Sequence, residues 1–200
     1  MPEYNAVMIR IITVIAAVIL DWIFGDPYSF PHPIRYIGSL ISVLDKKIRL
    51  SCDGNAKKEW KGGVLLVISV IVITEAVVIC CLWIWYRINI VLYICLEAFW
   101  CYQLIAAGSL KKESGKVYTA LKNNDTEGAR YAISMIVGRN TERLDEAGIT
   151  KAAVETVAEN TSDGVTAPLI YIMLFGAAGG FFYKAVNTMD SMVGYKNDVY

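Results

Sequence analysis

Residues 64–86, VLLVISVIVITEAVVICCLWIWY, decide the fold class. Within them only Ser69, Thr74 and Glu75 are polar, and as a helix the stretch is long enough to cross a hydrocarbon core of about 30 Å. Trp83, Trp85 and Tyr86 gather at its end, where an interfacial aromatic belt would sit. A short polar break at Arg87 and Asn89 follows, and residues 90–110 then form a second apolar run. So tight a turn makes the two spans antiparallel. A shorter third run, residues 9–24, is read with Arg10 as the positive residue before its apolar part, and no small-x-small cleavage site follows it. It is therefore expected to be an uncleaved span rather than a signal peptide. Residues 168–182 are apolar but carry Gly176, Gly179 and Gly180. A fourth span, a re-entrant segment and an interfacial segment all remain open for them. The expectation is an all-α, polytopic helical membrane protein with cytoplasmic helical loops, residues 1–200 forming one membrane domain.

Composition agrees. Hydrophobic residues make up 56% of the chain, and mean hydropathy is +0.44, against about 45–50% apolar in soluble domains. The lipid bilayer is thus the first expected partner. Formal net charge is zero, so no global field argues for nucleic acid. Five cysteines occur without a C-x-x-C pair or zinc spacing, and are expected to be buried free thiols in a reducing compartment. Neither a P-loop, a dinucleotide fingerprint nor a nucleophile elbow is present.

Charge orients the spans. Loop 25–63 carries Arg35, Lys46, Lys47, Arg49, Lys57, Lys58 and Lys61, and stretch 111–167 is also rich in lysine and arginine, whereas the turn between the strong spans has only Arg87. The positive-inside rule puts both loops in the cytoplasm and the N-terminus outside the cell membrane. Ile34, Ile37, Ile41, Leu44 and Ile48 recur at helical spacing. They suit a helix lying on the membrane surface, or equally one packed on the spans.

In the second loop, Asp125 is expected to cap a helix running to about Val137 and ended by Gly138, with Ala129, Ala132, Ile133 and Ile136 as its apolar stripe. Asp145 caps the next, whose stripe is Ile149, Ala153 and Val157, with Ala152, Glu155, Glu159 and Ser162 on a neighbouring face. Glu155 and Glu159 repel by a few tenths of a kcal/mol, a repulsion expected to stand unrelieved by lysine. With Asn160 and Asp163 they place oxygen-bearing side chains at one helix end, an environment for a hard cation or an ammonium group, or simply a solvated acidic face. Asn187, Asp190 and Ser191 lie beside an apolar stretch, where they suit magnesium, phosphate or a helix cap. Glu75 and Glu97 fall at similar depth on antiparallel spans. Burying their charge costs about 2.5–3.5 kcal/mol each on the lenient scale, so one or both are expected to be protonated and hydrogen-bonded inside the bundle, or else to mark a polar path. In residues 21–38, DWIFGDPYSFPHPIRYIG, the prolines push their predecessors out of the α region. They force an extended exit from the first span that carries Asp26, His32 and Arg35.

Four motifs in order, GDPYSFPHPIRYIG, SMIVGRNT, ETVAENTSDGVTAPL and AVNTMDSMVGYKN, make the chain resemble the CobD/CbiB family of cobalamin biosynthesis, the membrane-embedded adenosylcobinamide-phosphate synthases. The resemblance covers about residues 20–197. It implies an acid–amine ligase that uses ATP and magnesium to join aminopropanol, usually as its phosphate, to the free carboxylate of the corrinoid adenosylcobyric acid. On that basis Glu155, Glu159 and Asp163 are the catalytic candidates, binding magnesium or taking the amine proton, with Glu159, Asp163 and Asp190 as metal ligands. Asp26, Asn160, Asn187 and Ser191 would complete the metal or phosphate site. Arg35 and Arg139 would hold phosphate, and His32 and Tyr195 would contact the corrin edge or the amine. Family members run on past NTMDSMVGY, so the chain is expected to be a partial sequence. The rival reading is a membrane transport or sensing protein without ligase activity. It expects polar motifs at mid-membrane on broken helices, whereas three of the four motifs here fall at or beyond the expected cytoplasmic edge.

Overall fold

The computed structural model describes residues 6–26, 31–52, 55–138 and 140–194. Regular structure among them is helical: α1 (Ala6–Phe24), α2 (Pro33–Leu50), α3 (Ala56–Ile88), α4 (Ile90–Gln103), α5 (Ala107–Lys122), α6 (Thr126–Ser134), α7 (Glu146–Thr161), a π-helical turn (Ser162–Thr166) and α8 (Ala167–Val193). Four helical segments are long and apolar enough to cross a membrane: Ala6–Phe24, Lys57–Ile88, Ile90–Lys122 and Glu146–Val193. Their outward faces are apolar, with Ile11, Ile15, Val72, Val77 and Leu174 among the exposed side chains. Such a surface suits lipid rather than water. The inward faces meet in one cluster that includes Ala17, Ile41, Val70, Leu104, Ile172 and Ala185.

Short polar side chains set the helix starts. Asn55 caps α3, Asp125 caps α6 and Asp145 caps α7, each oxygen accepting backbone N–H groups of the first turn. Asn89 accepts from Val91 and Leu92 N–H at 2.8 and 3.3 Å, while its own N–H closes α3 on Trp85. One residue thereby ends one span and starts its antiparallel neighbour. The expected span 90–110 is interrupted: α4 ends at Gln103 and α5 begins at Ala107. α6 stops at Ser134, short of Val137, and Gly138 lies in the bend beyond it. Of the two placements left open for α2, the structure adopts packing on the spans. Ile37 and Ile41 belong to the main core, with Leu44 and Ile48 against it.

The segment that begins at Ala167 folds back on itself. Gly176 has φ 70° and ψ −153°, far from helical values. On a straight helix Asp163 and Lys184 would stand about 31 Å apart, yet Lys184 Nζ donates to the Asp163 carbonyl at 3.4 Å. Tyr171 and Tyr183, on opposite sides of Gly176, have ring centroids 5.3 Å apart. The first arm, residues 167–175, rises only about 13 Å, less than half a hydrocarbon core. α8 is therefore a helical hairpin turned at Gly176. At its tip the non-helical backbone is buried in protein. A side chain on Gly176 would strike the Arg10 guanidinium and the Glu97 carboxylate.

Those two groups correct an expectation. Arg10 lies inside α1, not before it, and its Nη1 donates to Glu97 Oε1 at 2.6 Å. Glu97, 2% exposed, is thus held in an ion pair rather than as an acid in a polar path. Glu75 stays apart from that pair, with Oε1 buried and without a partner among the described residues. All five cysteines are free; Cys52 and Cys101 are buried as expected, whereas Cys80 and Cys95, contrary to expectation, are exposed on the bundle's apolar surface.

Candidate active site

The α4–α5 break is the hub of the polar end of the bundle. α1 terminates at Gly25, whose φ of +57° is readily adopted only without a Cβ, and whose N–H bonds to Asp21 O at 2.8 Å. The Gly25 carbonyl accepts from Tyr102 Oη at 2.6 Å, and Gln103 Nε2 donates to Pro31 O at 3.1 Å. Asp26 N–H donates to Ser109 Oγ at 3.0 Å. Gly108 N–H donates to Asp21 Oδ2 at 2.9 Å, and the close approach leaves no room for a Cβ on Gly108. The link from α1 to α2 is thereby pinned at both described ends, at Asp26 and at Pro31; residues 27–30, on which the expected extended exit falls, lie outside the described residues.

The same break reaches the π turn. The Ala167 N–H bonds to Ser162 O, five residues back. Pro168 follows and has no N–H to offer the turn. Two carbonyls find partners elsewhere: Gly164 O accepts from Ala106 N–H at 3.0 Å, and Asp163 O accepts from Lys184 Nζ. A π turn widens a helix where local bonding is surrendered, frequently at functional sites. Here it re-aims Asp163 between α7 and the hairpin.

A cleft of about 420 Å³ lies at this end, lined by Glu155, Glu159, Asn160, Asp163, Asn187 and Ser191, with residues 136–138 on its rim. Six of the side chains singled out in the sequence are thus brought to one cavity from α7, the π turn and the second arm of α8. The fold-back at Gly176 is what brings Asn187 and Ser191 there. On α7, Ile149, Ala152 and Thr156 face the protein. Ala152 therefore belongs to the packed face, leaving Glu155 and Glu159 on the open one. The repulsion between these two is partly relieved, contrary to expectation, because Lys151 Nζ lies 3.7 Å from Glu155 Oε1.

Other candidates lie elsewhere. Asp190, three residues from Asn187, looks into a separate cleft with Asp45, Arg49 and Glu59, so the expected ligand trio of Glu159, Asp163 and Asp190 is divided between two cavities. Among the described residues, no three His, Cys, Asp or Glu side chains converge on a metal position. Arg139 and Tyr195 fall outside the described residues. Arg35 is exposed in the first turn of α2.

His32 caps α2. Its Nδ1 accepts from Ile34 N–H at 3.3 Å, and Nε2 lies 3.6 Å from Asp26 Oδ2. Burial pushes its pKa below the ordinary 6.5; Lys184 and Arg35 push the same way, against the opposing pull of Asp26. His32 is therefore neutral at pH 7. A depressed folded-state pKa means that the unfolded chain binds the proton more readily. The stabilisation is complete above pH 6.5 and is lost as the pH falls through that value towards the folded pKa. His32→Asn, which keeps a capping side chain, should flatten the acid-side fall in thermal midpoint between pH 7 and 5 in detergent. An unchanged profile would contradict this.

Lys184 is the residue that the sequence reading passed over. It is 6% exposed and its charge acts on both His32 and the Asp163 region. It thus sits between the Asp26–His32 segment and the acidic cleft. The available signal was a lone lysine directly after an apolar, glycine-rich run.

The sequence profile of the family described as CobD/Cbib protein matches residues 14–200. The chain is 44% identical over 197 residues to a protein of Clostridium tetani named cobalamin biosynthesis protein CobD, covering 95% of this chain and 59% of that one. A protein of the same name from Clostridium acetobutylicum is 45% identical over 189 residues, covering 94% and 59%. Salmonella typhi has a cobalamin biosynthesis protein CbiB that is 42% identical over 182 residues, covering 91% and 57%. The chain spans about three-fifths of the length of these relatives. No solved structure matches it.

Proposed function

This chain belongs to the CobD/CbiB family, and from that premise we propose that it acts in cobalamin biosynthesis as an amide-forming ligase in the cell membrane, its polar end in the cytoplasm. Its substrates are adenosylcobyric acid, aminopropanol phosphate and ATP, and its product is adenosylcobinamide phosphate. A carboxylate does not acylate an amine in water unaided. The terminal phosphoryl group of ATP activates it as an acyl phosphate, leaving ADP. The amine nitrogen then bonds to the acyl carbon as the carbon–oxygen bond to phosphate breaks, and the amine proton goes to a base.

The observation that carries this reading is convergence. Residues from the second, third and fourth of the quoted motifs line one polar cleft. The first motif is tied to the same end through Gln103, Ser109 and Lys184. The row Glu155, Glu159 and Asp163 attracts the ammonium form of the amine. Glu155, on the open edge, takes the proton. Asn160, Asn187 and Ser191 offer neutral hydrogen bonds to orient the amine. Magnesium typically takes one or two carboxylates and fills its remaining positions with water and substrate phosphate. Glu159 and Asp163, four residues apart on one cavity wall, fit that mode, and a closed all-protein cage is absent among the described residues. When bound there, the ion neutralises phosphate charge. Asp190, in another cleft, has no part in this set.

Membranes from cells expressing the gene that carries this chain provide the test. Given adenosylcobyric acid, aminopropanol phosphate and magnesium-ATP, they should form an amide-linked corrinoid that requires both ATP and amine. Absence of that product would overturn the ligase reading.

A further inference from the structure

We propose that Lys184 is the oxyanion-holding residue of the site, gripping the carboxylate or phosphate of a substrate against the acidic cleft. The proposal rests on the ligase reading above.

Lys184 sits on the second arm of α8 and is 6% exposed. An ammonium carries three donors and no acceptor. Among the described residues Lys184 makes one hydrogen bond, to the Asp163 carbonyl, and at 3.4 Å it is long. A charge buried with two donors uncommitted is costly unless something pairs with it. The Asp163 carboxylate is the charge that acts on Lys184, without a hydrogen bond to the ammonium among the described residues, whereas Asp26 lies 3.6 Å from His32 Nε2. His32 is neutral and caps α2 through Nδ1. Among the described residues neither Asp26 nor His32 bonds to the ammonium.

Position gives the unused donors a purpose. The carbonyl that Lys184 holds belongs to Asp163, whose side chain lines the acidic cleft. The buried cation and the acid row are therefore back to back across one residue. That is the polarity an acid–amine ligation needs, with the anionic partner on the lysine and the cationic partner on the carboxylates. A hydrogen bond to a charged group contributes roughly 1.5–3 kcal/mol, or about ten-fold or more in affinity. Two substrate oxyanions have this chemistry: the corrinoid carboxylate and the phosphate of aminopropanol phosphate.

Lys184→Met removes the charge and keeps the apolar stem. Lys184→Arg restores a charge. Thermal midpoints in detergent establish that each variant is folded. Titrations then use two matched pairs: adenosylcobyric acid against adenosylcobinamide, whose carboxylate has become a neutral amide, and aminopropanol phosphate against aminopropanol. The methionine variant should lose ten-fold or more in affinity for the anionic member of one pair and keep its affinity for the neutral member, with partial rescue by arginine. The pair that responds identifies the oxyanion. No loss in either pair, or equal loss for charged and neutral members, would overturn the proposal and leave Lys184 as a tie between the hairpin arms. A wild-type protein that binds neither corrinoid would instead strike down the ligase reading and the subsite with it.

Discussion

Glu159→Gln should lower kcat for amide formation about 10²–10³-fold while the protein stays folded. The substitution keeps the side chain's shape and removes only its charge. Glu159 is exposed on the cleft side of α7, so little packing depends on it. Removal of one preorganised electrostatic group from an active site costs about 2.7–4 kcal/mol in the transition state. Asp163→Asn should cost a similar factor. If both carboxylates hold one ion, the double variant should fall little further than either single one, because residues acting as a unit are strongly non-additive. Independent losses that multiply would assign the two carboxylates to separate tasks. Full turnover in both single variants would remove the acidic cleft from the mechanism. The measurement is steady-state turnover in membranes with the amount of folded protein normalised.

Gly176→Val should be the most damaging single substitution to the fold. Two costs add. At φ 70° and ψ −153° the backbone occupies a region used essentially by glycine alone, a strain of about 1–3 kcal/mol for any other residue. The new side chain would also strike the Arg10–Glu97 pair, and overpacking typically costs a further 1–3 kcal/mol. Separating that pair would leave the Glu97 carboxylate buried without its cation. Gly115→Ala on α5 is the control. Nothing lies within 4 Å of the position its Cβ would take, and replacing a mid-helix glycine should stabilise by roughly 0.5–1 kcal/mol. Thermal midpoints in detergent should move in opposite directions for the two variants. A valine at 176 without effect would mean that the hairpin tip is not built as described.

What was legible in the sequence was whatever local chemistry determines. Residues 64–86 announce a span by length and polarity. Asp125 and Asp145 announce helix starts because a short side-chain oxygen before an apolar stripe has few better uses. The chain reversal within residues 168–182 was not legible. Three glycines serve equally for close packing and for a reversal, and here they do both: Gly180 packs against Leu104 and Ile172 while Gly176 turns the chain. The deciding contacts come from Arg10 and Glu97, distant in sequence. The stripe of α2 was ambiguous for a similar reason, since isoleucines face lipid and protein equally well.

Within the site, Glu155 and Glu159 could be read because they share a helical face, whereas Asp163 was expected only to follow within a turn and reaches the cleft from the π turn. The separation of Asp190 from Asn187 and Ser191 depends on how the second hairpin arm is rotated, which spacing alone leaves undetermined. Lys184 was hidden because a lysine after an apolar run ordinarily marks a membrane edge. Its burial comes with the fold-back, which sets it against the Asp163 backbone of the π turn.

The distance between the two walls of the acidic cleft tests the account most directly. Spin labels at positions 155 and 191, in a variant whose five native cysteines are replaced, report that distance by pulsed dipolar spectroscopy in nanodiscs. Both residues line one cavity of about 420 Å³, so the account predicts a short distance, under about 25 Å including the label arms. A straight helix through Gly176 would separate them by about 54 Å at 1.5 Å per residue, and a distance near that value would contradict it.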